Sequence, residues 1–159
     1  MIRINDSENV ARAIFSPQMI AFNGDLLLSA FALRVFRDGT AEDYISVNRM
    51  SVESWFDDIQ KIPQRRNRQL YGFAELNVGK IRHIELQING HKVEYNVHDY
   101  SEGSTPSHAG ITTSVEGLTV RGGSNAFLSA LAPNQPESFV MMAMQEELLA
   151  IAKNNFVRI

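Results

Sequence analysis

Hydrophobic and polar positions alternate, cluster and change period along the chain, and these changes outline its elements. Residues 10–15, VARAIF, predict a short strand that Pro17 ends, because proline cannot donate to a sheet ladder. Residues 43–50, DYISVNRM, repeat with a period of two. Tyr44, Ser46, Asn48 and Met50 fall on one face, and Ile45, Val47 and Arg49 on the other. Over 51–62 the period becomes helical: Val52, Trp55, Phe56 and Ile59 share one side, Ser51 is placed to cap, and Pro63 to stop. The apolar run 26–36, LLLSAFALRVF, reads either as a buried strand pair or as a short helix, since periodicity does not separate the two over so few residues. Turn signals flank it at 23–25 (NGD) and 38–40 (DGT).

The second half continues in strands. Residues 70–88 hold one or two, broken near Gly79. Asn89-Gly90 is a hairpin signal, because both residues accept positive φ, and 92–100 is the return strand. Residues 108–115, HAGITTSV, form a further strand after an acidic, Ser-rich loop. A Gly turn and a short helix follow over 121–132. The clearest element is a helix within 135–155, with Pro136 and Glu137 at its start and Asn154 as its cap. Val140, Met144, Leu148 and Ile151 make its apolar stripe. FVRI closes the chain as an edge strand. The expected fold is α+β: a mostly antiparallel sheet of five to seven short strands with two or three helices, including an amphipathic C-terminal one. Hairpin connections without regular βαβ alternation argue against a doubly wound sheet.

Composition narrows the function classes. A chain of 159 residues suits one domain, 1–159. With 44% hydrophobic and 21% charged residues it reads as globular. A net charge of −3 provides no general field for polyanions. The chain has no cysteine, which removes disulfides, thiolate metal sites and thiol nucleophiles and fits a cytoplasmic setting. The start of the chain lacks the apolar run of a secretory signal, and no apolar stretch is long enough to span a bilayer. The expectation is a soluble cytoplasmic protein without membrane contact.

Four stretches carry candidate chemistry. His98 and Asp99 end one strand and His108 opens the next. If those strands form a hairpin, all three sit at one mouth, and two imidazoles with a carboxylate make a usable acid–base set. The spacing matches no metal motif, so neither metal nor cofactor is expected. Ser46, Asn48 and Arg49 bring a hydroxyl, an amide and a guanidinium close together, although Arg49 points opposite to the other two on a regular strand. Arg121 and Ser124 flank a Gly pair ahead of a short helix, a workable anion turn without the spacing of a Walker loop. Residues 64–68, QRRNR, are a dense basic run, too short for a nucleic-acid groove and preceded by Asp57 and Asp58.

Taken in order, RAIFSP, LSAFALR, EDYISVNR and PSHAGI resemble small bacterial proteins of unassigned function that carry a Ser-Val-Asn/Asp-Arg segment followed by Ser-His-Ala. The resemblance covers residues 12–111. It implies that Arg12, Ser46, Asn48, Arg49 and His108 belong together, and it implies no activity.

Three readings follow. The first is a module that binds a protein partner or a small anionic ligand and has no catalysis of its own. The second is an enzyme acting on a phosphate-bearing substrate, with His108 as acid–base group and Arg12 and Arg49 as anion clamps; it requires these side chains in one cleft. The third is nucleic-acid binding through Arg65, Arg66 and Arg68, against which the short run and the acidic balance weigh.

Overall fold

The alternation of residues 45–49 carries through into the structure, a computed structural model that describes residues 3–123 and 126–159. Among these residues the order is β1 (Asn9–Ser16), β2 (Ile45–Arg49), α1 (Trp55–Gln60), β3 (Gln69–Asn77), α2 (Val78–Arg82), β4 (Leu86–Ile88), β5 (His91–Asp99), β6 (His108–Val115), β7 (Leu118–Thr119), α3 (Ala126–Leu131), α4 (Glu137–Ala152) and β8 (Phe156–Arg158). The strands form one sheet in the order β4-β5-β6-β2-β1-β3-β8, with β7 beside β6, and every pair is antiparallel. The α+β class and the antiparallel sheet are as expected.

Among the described residues the sheet has eight strands, where five to seven were expected, and there are four α-helices, where two or three were expected. One extra helix is α2. Asn77 ends β3 and caps it, its Oδ1 accepting from Lys80 N at 3.0 Å, and five residues are too few to reveal a helical period. Of the two readings of the run 26–36, the strand pair is not formed and the short helix is, as a 3-10 helix. A single 3-10 turn at Leu28–Phe31 buries Ala30 and Phe31, and β-bridges flank it. Helix α1 begins later than the sequence pattern suggests. The Ser51 hydroxyl donates to Glu8 Oε1 at 2.6 Å instead of capping, and Ser54 is the residue that flanks the helix. At the other end of the chain Lys153, not Asn154, flanks α4, and the Asn155 amide donates to the Ile151 carbonyl at 3.1 Å.

The two faces of the sheet have different fates. Val10, Ile14, Ile45, Val47, Val93, Val97 and Ile111 lie on one face and are buried. Helix α4 covers that face with Val140, Met144, Leu148 and Ala152; Ala152 closes the stripe where Ile151 was expected. Each large side chain buried there contributes roughly 1.5–3 kcal/mol. Tyr95, on the same face, donates its hydroxyl to the Met144 carbonyl at 2.9 Å, and burial pushes its phenol well above the ordinary range. The opposite face is only partly covered. Trp55 and Phe56 of α1 meet the edge of Phe73, with centroids 5.1 and 6.5 Å away. Asn96, Thr112 and Ser114 stay accessible, as one face of an antiparallel sheet can. Asn89 and Gly90, with φ of 49° and 83°, close the β4–β5 hairpin as an Asn-Gly turn does. No helix among the described residues is long and apolar enough to cross a membrane.

Candidate functional site

A splay in the sheet creates the site. β1 and β2 pair at only two positions, Val10↔Arg49 and Ala11↔Asn48. From Arg12 onward β1 runs beside β3 alone and β2 beside β6. The gap opens a cavity of about 310 Å³, walled by α1 and by the loops at 62–68 and 102–105. Arg12, Ser46, Asn48 and His108 line it together, joined by Phe15, Arg34, Asp58 and Arg68.

Arg12 is the most constrained of these residues. Alternation puts it between Val10 and Ile14 on the packed face, and at the end of the β1–β2 ladder its guanidinium reaches the cavity. The side chain is 5% exposed. Nε donates to the Ala30 carbonyl at 2.8 Å and Nη1 to the Ser46 carbonyl at 2.9 Å. Both partners are neutral. Burial first, then the Arg34 and Arg68 cations, pull its pKa down from 12.5 to about 10, while Glu42 opposes them. A lowered pKa in a base means that the charged form is disfavoured in the folded chain.

Two more guanidiniums stand at the cavity. Arg68 lies over the Phe15 ring, 3.8 Å from its centroid, a cation–π stack that fixes its plane. Burial and the neighbouring Arg34 and Arg65 lower its pKa as well. Arg34 pairs with Glu42 at 3.1 Å. The Gly-rich turn braces this pair from behind. Gly122 N donates to the Glu42 carbonyl at 2.7 Å, and a Cβ on Gly122 would lie 2.3 Å from the Arg34 carbonyl oxygen.

The polar wall is a hydrogen-bonded chain. Asn48 Nδ2 donates to Ser107 Oγ at 2.9 Å, and Ser107 Oγ donates to Asp58 Oδ2 at 2.5 Å. Ser107 N and Ser54 Oγ also donate to that oxygen, each at 3.1 Å. Burial alone would raise the Asp58 carboxyl, but these donors outweigh it and hold the group below its ordinary 3.8. His108 stands at the mouth, Nε2 3.4 Å from Ser46 Oγ. Tyr44 and Tyr100 stack on each other at 4.2 Å beside it, over Gly110, where a Cβ would come within 2.4 Å of the Tyr44 ring.

The other candidates from the sequence lie elsewhere. Arg49 faces the opposite side of the sheet, as the alternation required. It pairs with Glu8 at 2.9 Å and Asp99 at 3.5 Å and anchors the N-terminal segment. His98, Asp99 and His108 do not form one acid–base set. β5 and β6 do pair, but Asp99 alternates to the Arg49 face, and Tyr100 has His98 and His108 on either hand, 6.4 and 6.3 Å away. Arg121 is exposed at the turn that braces Arg34, outside the cavity lining, and Ser124 lies outside the described residues.

Arg34, Asp58, Ser107 and the inward role of Arg68 were missed by sequence reasoning. Asp58 did carry a signal. It shares the i, i+3, i+4, i+7 face of Trp55, Ile59 and Ile62, and a carboxylate on an apolar face must find donors. Among the described residues, no three His, Cys, Asp or Glu side chains group closely enough to hold a metal ion. No family model, no curated protein and no solved structure matches the chain.

Proposed function

We propose that the chain is a binding module for a small anionic ligand, a carboxylate or a phosphate, taken into the cavity at the β1–β2 splay, with no catalysis of its own. Arg12 is the observation that carries this reading. Its guanidinium is buried beside two other cations, and its hydrogen bonds go to carbonyls instead of a carboxylate. Burying a charge without an opposite charge is expensive, and an anion in the cavity relieves that cost while gaining charge-assisted hydrogen bonds. Arg68, held flat by Phe15, and Arg34 add donors on the same side. The residues that the sequence resemblance groups, Arg12, Ser46, Asn48 and His108, fit this reading without Arg49.

The other readings have less support. A phosphate-ester enzyme with Arg12 and Arg49 clamped around His108 needs all three in one cleft, and Arg49 is engaged on the other face. A nucleic-acid surface at 64–68 needs three outward arginines, and Arg68 is turned onto Phe15.

Calorimetric titration at constant ionic strength tests the proposal, with inorganic phosphate, ethyl phosphate, propionate and succinate as probes. Saturable binding of one or more of them, weakened about tenfold or more in Arg68→Ala as expected for a lost charged hydrogen bond, supports it. Absence of binding by all four and by their hydroxyl- and amino-bearing analogues, or equal binding by the variant, sinks it.

A further inference from the structure

Asp58 is 1% exposed and lies in the wall of the same cavity. Its two oxygens are treated very differently. Oδ2 accepts three hydrogen bonds, from Ser107 Oγ, Ser107 N and Ser54 Oγ. Oδ1 is buried and has no hydrogen-bond partner. The Lys61 ammonium is 3.8 Å from it, beyond hydrogen-bond reach, with 63% of its side chain in solvent. Buried polar atoms are almost always paired, and a carboxylate oxygen without a donor is among the costliest exceptions. The other acidic group at the cavity, Glu102, is solvent-exposed and makes no such demand.

The cavity therefore holds two unmet needs of opposite kind. One wall has a buried guanidinium whose bonds go only to carbonyls, and another includes Asp58, whose Oδ1 has no hydrogen-bond donor and only the Lys61 ion pair at 3.8 Å. At about 310 Å³ the space is at the small end of ligand sites, so a single small molecule touches both walls. We infer that the ligand is bifunctional: beside its anionic group it carries a hydrogen-bond donor, hydroxyl or ammonium, which Asp58 Oδ1 accepts. This inference rests on the anion-binding reading above and specifies which anions qualify. Hydroxy acids, amino acids and phosphate esters of small alcohols or amines have the required pair of groups; simple carboxylates and alkyl phosphates do not. Discrimination follows from the same asymmetry, because a site built around a buried acceptor rejects an isostere that leaves it unpaired.

Matched ligands that differ only in the donor test this on the full wild-type chain. Ethyl phosphate is compared with phosphoethanolamine and glycol monophosphate, and propionate with alanine and lactate, by calorimetric titration. In at least one series, a donor-bearing member is expected to bind about tenfold or more tightly than its donor-free partner. Which member leads separates ammonium from hydroxyl. The ¹³C resonance of the Asp58 carboxyl is expected to move with the donor-bearing ligand and to stay in place with the donor-free one, a readout that needs no variant. Asp58→Asn, if it folds, should reduce the preference to within about threefold. If donor-bearing and donor-free members bind equally in both series, or the Asp58 resonance does not move, the donor inference is overturned while anion binding stands. If nothing in either series binds, the anion reading itself fails.

Discussion

Asn48 and His108 are direct partners across the β2–β6 ladder, so both side chains project from the same face of the sheet. Arg49, one residue further on, projects from the opposite face. This single register divides the stretch ISVNR into a part that lines the cavity and a part that anchors the N-terminal segment.

Arg49 is therefore expected to matter for stability and not for binding. It is 9% exposed and pairs with Glu8 and Asp99, where burial raises the carboxyls and hydrogen bonds from Ser51, Asn5 and Ser101 together with Arg49 lower them. Arg49→Met leaves two partly buried carboxylates without their cation and should cost about 2–4 kcal/mol in urea unfolding. Anion affinity of the folded fraction should remain within twofold or so. A variant of wild-type stability that has lost binding would reverse the assignment.

Gly110 keeps room for the Tyr44–Tyr100 stack beside His108. A Cβ there would approach both rings within 2.4 to 2.7 Å. Gly110→Ala is expected to cost about 1–3 kcal/mol, as overpacking does, and to change the near-ultraviolet circular dichroism of the tyrosines. Gly103→Ala is the control: nothing lies within 4 Å of its added carbon, and it should be nearly neutral. Equal effects from the two substitutions would show that the stack tolerates displacement.

Asp58 makes an acid-sensitive contribution whose sign is fixed. Its folded pKa lies below 3.8, so the stabilisation is complete above 3.8 and is lost as pH falls through the lower folded value. Ser107→Ala removes one donor, and burial then gains weight and raises that pKa. The variant should lose about 1–3 kcal/mol at neutral pH and unfold at a higher pH on acid titration followed by circular dichroism. An unchanged acid midpoint would mean that Ser107 does not hold the carboxylate.

Local patterns in the sequence expressed the strands well. The alternation at 45–49, the Asn-Gly hairpin and the strand at 108–115 all depend on neighbours a few residues apart. The cavity depends on distant ones. Arg12 meets Ser46 only because β1 leaves β2 after two paired positions, and Asp58 meets Ser107, 49 positions further along the chain. Register and splay of that kind are set by tertiary packing, which no short window contains. Strand alternation was nevertheless enough to put Arg49 opposite Ser46 and Asn48. The same rule, applied to 98–99, would have separated Asp99 from His98.

Residues 64–68 provide an independent contrast. Arg65 and Arg66 are exposed, whereas Arg68 stacks on Phe15. The double variant Arg65→Ala/Arg66→Ala should keep anion binding within about twofold, because neither side chain lines the cavity and screened surface charges contribute little. Loss of binding comparable to Arg68→Ala would move the anion site out onto the loop.

The most direct test follows the arginine Nε–Hε resonances by ¹H–¹⁵N NMR while the tightest-binding small anion from the titrations is added. Binding at the splay predicts saturable shifts of the Arg12 and Arg68 resonances, with those of Arg49 and Arg82 unmoved. Shifts confined to Arg65 and Arg66, or an Arg12 resonance that stays in place at saturation, would contradict the account.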